Sequence, residues 1–112
     1  METKRFYRVA NIINNQGLWY DMDGNFTGLI HSKFNFCTNH NLEMPYDENV
    51  IGYLSAADNL EDVSKWFTKD DIRRLEEYDY HLFEYISDDY KFYNGHWLIS
   101  QKTSTIVKEI IV

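Results

Sequence analysis

Three residues that can bind a metal lie close together in the stretch "IHSKFNFCTNHNLEMPYD", residues 30 to 47. Cys37, the only cysteine, and His40 are separated by two residues, so both side chains can reach one ion within a turn. His31 is near enough along the chain to be a third ligand. The candidates for a fourth ligand are His81, His96, a carboxylate such as Asp47, or water. The spacing therefore predicts a zinc site at His31, Cys37 and His40, and the alternative is a buried structural cysteine with surface histidines.

Catalysis by Cys37 is a weaker interpretation of the same residues. A nucleophilic thiol needs an imidazole within hydrogen-bond reach and donors that stabilise an oxyanion. No glycine-rich turn surrounds Cys37 that could supply those donors. No complete catalytic signature occurs in the chain, so the sequence favours a protein that is not an enzyme.

The first half of the chain has the pattern of short strands followed by a loop. "KRFYRVANI", residues 4 to 12, alternates and is rich in aromatic and β-branched residues, which predicts a first strand. A second strand is predicted at "GLWYD" and a partner strand at "NFTGLI", with Asp23-Gly24 forming the hairpin turn between them. From His31 to Asp47 no period is sustained, which predicts a long loop.

Two short helices are predicted after the loop. In "SAADNLEDVSKWF", residues 55 to 67, apolar residues recur every three or four positions, with Ser55 or Asp58 as the N-cap. In "TKDDIRRLEEYDY", residues 68 to 80, Thr68 is the predicted N-cap and acids occupy the first turn. The apolar residues Ile72 and Leu75 are predicted to face inward.

The last third of the chain predicts strands again. "HLFEYIS", "YKFY" and "HWLISQ" alternate or are rich in aromatic residues, and Asn94-Gly95 is a strong hairpin signal between the last two. "STIVKEIIV" predicts a final strand at a sheet edge. The fold class predicted is α+β: a single domain over residues 1 to 112, with an antiparallel sheet, two short helices on one face and a long loop.

Composition limits the classes of protein that fit. Hydrophobic residues make up 44% of the chain and the net charge is -7, which predicts a folded acidic domain. One cysteine excludes an internal disulfide, and no apolar run approaches the roughly 18 residues that span a bilayer. The N-terminal stretch lacks the apolar segment of a secretion signal. We therefore expect a cytoplasmic protein that has no membrane partner.

Acidic residues are concentrated between residues 43 and 89, where 14 acids stand against four bases and give a net charge of -10. A surface with that charge repels nucleic acid and steers the protein toward basic protein surfaces. The alternative is an ordinary solvated helix face. The predicted partner-binding residues are Asp58, Glu61, Asp62, Asp70, Asp71, Glu76 and Glu77.

The order of several segments resembles a family of small, mostly uncharacterised phage and prophage proteins. The resemblance rests on "FYRVAN", "GLWYD", "HNLEMPYDE", the stretch from Tyr53 to Ile86 and "YNGHWLIS", and it departs at Met44, which separates His40 from Pro45. It implies a phage gene product that acts on host machinery in the host cytoplasm. In size and charge the chain is similar to acidic anti-CRISPR proteins. The function expected is inhibition of a host defence protein, with a Cas nuclease as candidate target, by covering its basic nucleic-acid-binding surface.

Two other functions compete with this one. The chain also resembles a small ADP-ribosyltransferase-like domain, in which Tyr7, Arg8 and Tyr20 clamp a nucleotide and Glu84 is catalytic. Stacking of single-stranded nucleic acid is the other alternative, but the sequence lacks the basic groove that such binding requires. The aromatic residues available for it are Trp19, Tyr20, Tyr90, Tyr93 and Trp97.

Overall fold

The structure is a computed structural model that describes residues 2–18, 28–39, 51–93 and 95–112. Within these ranges the strands are β1 (Lys4–Asn11), β2 (Tyr53–Ala56), β3 (Tyr80–Ser87), β4 (Tyr90–Tyr93), β5 (His96–Ser100) and β6 (Thr105–Glu109). The helices are α1 (Leu60–Trp66) and α2 (Lys69–Glu76), and a short 3-10 helix covers Leu29–His31. This mixture confirms the predicted α+β class.

The six strands form two antiparallel three-stranded sheets, whereas the sequence predicted one. The first sheet has the order β1-β3-β6 and the second has the order β2-β5-β4. A bridge between Tyr7 and Ala57 links the two sheets. β6 lies at the edge of the first sheet, as predicted, and β4 and β5 form the hairpin predicted at Asn94-Gly95.

The first sheet is covered on both faces. One face carries Val9 and Leu82 and packs against α1 and α2 through Val63, Ile72 and Leu75. The opposite face packs against the second sheet and includes the following buried residues: Phe6, Ala10, Leu54, Ala56, Phe83, Tyr85 and Ile99. The central strand β3 contributes to both clusters, which explains why most of its residues are buried rather than every second one. Both helices therefore lie on one face of the first sheet, as predicted.

Local sequence signals determine where α2 begins. The Thr68 hydroxyl accepts a hydrogen bond from the Asp71 amide at 3.0 Å, and the Asp71 carboxylate accepts one from the Thr68 amide at 3.0 Å. This capping box satisfies two amides that the helix itself cannot. The predicted N-cap at Thr68 and the predicted inward orientation of Ile72 and Leu75 are confirmed.

Two predictions from the sequence are wrong in the described residues. Helical structure does not begin at Ser55, which lies in β2; α1 begins at Leu60 and is capped by the Asn59 side chain. Gly17 and Leu18 are not in a strand, and Leu29 and Ile30 are in the 3-10 helix rather than in a strand. The remainder of both predicted strands, the hairpin at Asp23-Gly24 and the loop from residue 40 onward lie outside the described residues.

We predict that Asp71 and its neighbour Asp70 differ strongly in their effect on stability. Replacing Asp71 with Ala removes the capping box and the hydrogen bonds from Thr38, and should lower the free energy of unfolding by about 2 kcal/mol. Replacing Asp70, whose side chain is 87% exposed, should change it by about 0.5 kcal/mol. Urea denaturation of the two variants measures the difference. Equal losses would show that the buried hydrogen bonds of Asp71 contribute nothing.

Candidate functional site

Most of the predicted acidic residues are accessible on α1, α2 and the residues flanking them. The side chains of Asp70, Asp62 and Asp58 are 87%, 41% and 29% exposed. Glu61 and Glu77 are also exposed. The two helices therefore present carboxylates to solvent on the side away from the first sheet.

Three of these acids have a basic neighbour. Asp62 lies 3.0 Å from Lys65, Asp70 lies 3.3 Å from Arg73, and Asp58 lies 3.4 Å from Lys4. Hydrogen bonds from Lys65 and Asn59 lower the pKa of the Asp62 carboxyl below its usual value. Exposed pairs of this kind are weak and screened by salt, so they reduce the acidic field of the helices without removing it.

Asp71 does not belong to the exposed surface, which corrects the prediction for this residue. It is only 4% exposed, and its carboxylate accepts hydrogen bonds from the Thr68 amide and from the Thr38 amide and hydroxyl. The side chain fastens the segment before residue 40 to the start of α2. A group used in this way is not available to a partner.

The zinc site predicted at His31, Cys37 and His40 remains a prediction. His31 is exposed, whereas Cys37 is 1% exposed in the core beneath the helices. Burial and the nearby Asp71 carboxylate raise the pKa of the Cys37 thiol to about 12. Metal binding needs the thiolate, which this environment disfavours. His40 lies outside the described residues.

A different group of three residues brings metal-ligating atoms together. Nδ1 of His81 lies 3.1 Å from Oε1 of Glu109 and 3.5 Å from Oε2 of Glu76. All three ligand atoms lie within 4.8 Å of one another. His81 is in β3, Glu109 is at the end of the edge strand β6, and Glu76 ends α2. This cluster is a candidate metal site at the edge of the first sheet.

The sequence offered little that could reveal this cluster. His81 was considered as an additional ligand, but for the site near Cys37, and Glu109 stands apart from every acidic run. The signal that could have found the set is the β3–β6 register, in which Glu109 pairs with Phe83, two residues beyond His81. Residues two apart on a strand share a face, so the pairing brings both side chains together.

His96, the other histidine considered as a zinc ligand, is buried in the second sheet. Its Nδ1 lies 3.0 Å from the Ser55 hydroxyl, and its Nε2 is buried without a hydrogen bond among the described residues. Burial lowers the pKa of His96. The neutral ring is therefore the form that the fold favours.

Tyr7 and Glu84, two residues of the transferase alternative, do pair. They are direct partners in the β1–β3 ladder, and the Tyr7 hydroxyl donates to Oε1 of Glu84 at 3.1 Å. Burial and this carboxylate raise the pKa of Tyr7. Glu84 is only 4% exposed, which leaves it no open surface on which to meet a substrate.

Arg8 lies on the opposite face of β1 from that pair, and Tyr20 is outside the described residues. Arg8 is 6% exposed, and its guanidinium donates hydrogen bonds to three separate segments. Nε donates to the carbonyl of Ser55 at 3.1 Å, and Nη1 donates to the carbonyl and side-chain oxygens of Asn15 at 2.9 and 3.0 Å. Nη1 also donates to the Tyr85 hydroxyl at 3.2 Å. The nucleotide-clamping set of the transferase alternative is thus not brought together with Glu84.

A cavity of about 40 Å³ lies beside this arginine. Its walls are mainly apolar and come from β1, the segment after it, β2 and α1. The lining includes Arg8, Gly17, Leu18, Ser55, Trp66 and Phe67. Arg8 is the charged residue of this lining.

The aromatic residues considered for nucleic-acid stacking are partly engaged with one another. Trp97 packs against Phe6, Tyr90 and Phe92, and the ammonium of Lys4 lies 3.9 Å from the centre of its ring. Phe92 is 61% exposed. Trp97 therefore serves as the base of a cation–π contact that holds the first strand to the β4–β5 hairpin.

Comparison with known proteins found no matching family model, no matching curated protein and no matching solved structure. None of the described helices is long and apolar enough to cross a membrane.

Proposed function

We propose that the chain is a phage-derived binding protein that inhibits a host defence protein by covering its basic nucleic-acid-binding surface. A CRISPR effector nuclease is the candidate target, and the host cytoplasm is where they meet. The observation that carries the proposal is the set of exposed carboxylates on the two helices, led by Asp70 at 87% exposure. The phage origin rests on the resemblance in the order of the sequence segments.

Charge balance supports this function. Between Asp58 and Asp79, eight acids stand against four bases. Asp70 and Glu77 are seven residues apart, a spacing that places both on the same side of a helix. Carboxylates spaced along one side of a helix attract lysines and arginines that otherwise hold a phosphate backbone. The acidic face formed by Glu61, Asp62, Asp70 and Glu77 is therefore the proposed contact surface.

The surroundings of the Cys37 thiol and the Glu84 carboxylate also favour binding over catalysis. Cys37 stays a thiol at neutral pH because its pKa is about 12, and thiols are poor nucleophiles. Glu84 is 4% exposed and is held by Tyr7. Neither group lines the cavity beside Arg8.

We predict that reversing two charges on the acidic face weakens binding to the effector. The double variant Asp70→Lys and Glu77→Lys should raise the dissociation constant by about tenfold or more, because it removes attraction and adds repulsion at the contact. The matched control is Glu2→Lys with Asp88→Lys, which changes the net charge equally at two other exposed positions. Biolayer interferometry against purified effector nucleases, at low and high salt, measures both.

The control should bind within about twofold of the natural chain, since its charges lie away from the contact. Circular dichroism must show the same helix content, because Asp70 stands in the first turn of α2. If both double variants lose the same affinity, total charge rather than the acidic face governs binding. If no effector binds at low salt, the assignment of the target is wrong.

A second candidate function is zinc binding by Glu76, His81 and Glu109. Tetrahedral zinc with bonds of about 2.0 to 2.2 Å places neighbouring ligand atoms about 3.3 to 3.6 Å apart. The distances of 3.1 and 3.5 Å from His81 Nδ1 to the two carboxylates fit this geometry. His81 Nδ1 is also buried without a hydrogen bond among the described residues. Three protein ligands leave a fourth position for water.

We predict that zinc binding at near one equivalent is lost when His81 is changed to Ala and kept when Cys37 is changed to Ser. The imidazole is the central ligand of the proposed cluster, whereas Cys37 belongs to the alternative site. Equilibrium dialysis followed by elemental analysis gives the stoichiometry. Loss in the Cys37 variant alone would assign the metal to His31, Cys37 and His40, and absence of zinc from the natural chain would contradict both sites.

A further inference from the structure

The guanidinium of Arg8 is a buried positive charge that lacks a negative partner among the described residues. Its acceptors are the carbonyl oxygens of Ser55 and Asn15, the Asn15 amide oxygen and the Tyr85 hydroxyl. All of them are neutral groups. Arginine stays protonated in proteins, so it cannot escape the cost of burial by losing its proton. Such a charge is stable in a core only when it is well bonded and compensated.

One nitrogen of the guanidinium has no hydrogen-bond partner among the described residues. Nε and Nη1 make all of the hydrogen bonds of Arg8 within the described part of the chain, and Nη2 makes none there. Nη2 carries two N–H groups in the plane of the guanidinium. Arg8 also lines the cavity of about 40 Å³. A volume of about 10 to 15 Å³ holds one water, so the cavity has room for a small polar group.

Gly17 keeps the approach to Nη2 open. A Cβ at this position would lie 3.2 Å from Nη2, closer than most real contacts of a Cβ atom. The backbone of Gly17 is not in the left-handed region, so its conformation does not require glycine. The absence of a side chain therefore matters here for space. It leaves space beside Nη2 that a methyl group would take, and both residues line the cavity.

We propose that the Arg8 cavity binds the oxyanion group of a small ligand, a carboxylate or a phosphate. The anion accepts hydrogen bonds from Nη2 and supplies a negative charge that the described residues do not place beside Arg8. Leu18, Trp66 and Phe67 form apolar walls against which the remainder of the ligand packs. The site is independent of the acidic face, because its chemistry selects an anion rather than a basic protein.

The test is a titration of the full chain with butyrate, with methyl phosphate and with the neutral butyramide, each monitored by ¹H–¹⁵N NMR. Butyrate or methyl phosphate should shift the Gly17 amide and the Trp66 indole saturably, with a dissociation constant of the order of 1 mM for so small a ligand. Butyramide should not, because it lacks the charge. The anion whose chemical-shift changes saturate shows whether the site binds a carboxylate or a phosphate.

Two variants locate the binding. Gly17→Ala should raise the dissociation constant of the anion by about tenfold, because the added methyl group crowds Nη2 while Arg8 stays in place. Arg8→Lys should abolish saturable binding, whereas Arg73→Lys, at an arginine with a 57% exposed side chain, should leave it unchanged. The proposal is overturned if neither anion binds, if butyramide binds equally well, or if Gly17→Ala binds the anion as tightly as the natural chain. Should Arg8→Lys fail to fold, the Gly17 variant decides alone.

Discussion

The burial of the Arg8 guanidinium is the constraint on which the arrangement of the first sheet and its surroundings depends. One side chain on β1 binds the backbone of β2 at Ser55, the turn after β1 at Asn15, and β3 at Tyr85. Without the guanidinium each of these acceptors would lose a charged hydrogen-bond donor, although the Tyr85 hydroxyl would still donate to the Asn15 side chain. The same hydrogen bonds place the turn residue Asn15 in a left-handed conformation with φ 65°, which asparagine tolerates better than most residues.

The rest of the fold follows from having two apolar faces on one sheet. Alternation along β1 sends Val9 toward the helices and Phe6 and Ala10 toward the second sheet. Arg8 shares the second of these faces, so its charge lies between two apolar layers rather than on the surface. The helices are consequently held by apolar contacts and by Asp71, while the carboxylates of Asp62 and Asp70 face solvent. The buried cation and the exposed acidic face are the features on which the two proposed binding sites rest.

Local signals in the sequence were sufficient to predict some of the helices and strands. Thr68 and Asp71 lie three residues apart and form their capping box from neighbouring atoms, so α2 could be predicted from sequence. The β4–β5 hairpin was likewise predicted from the Asn94-Gly95 dipeptide in the sequence between the two strands. β2 was missed because the residues around Ser55 have the pattern of a helix start, whereas its strand conformation comes from pairing with β5, more than 40 residues away.

The candidate sites depended even more on distant contacts. His81 and Glu109 meet through the register of an edge strand, and the cavity beside Arg8 is formed where four segments converge. The sequence singled out Arg8, but as part of a set with Glu84, and strand alternation separates those two side chains. The acidic residues were visible in composition, but three of the seven predicted are not part of the acidic face: Asp71 is buried, Asp58 pairs with Lys4 and Glu76 lies beside His81.

The most direct measurement of the central claim is the exchange rate of the arginine side-chain protons with water, observed by ¹⁵N NMR. If Arg8 is buried and its Nε–H is bonded to the carbonyl of Ser55, that proton should exchange far more slowly than the Nε–H of Arg73, whose side chain is 57% exposed. Equal exchange rates for the two arginines would show that Arg8 is open to solvent and would contradict the account of the fold built on it.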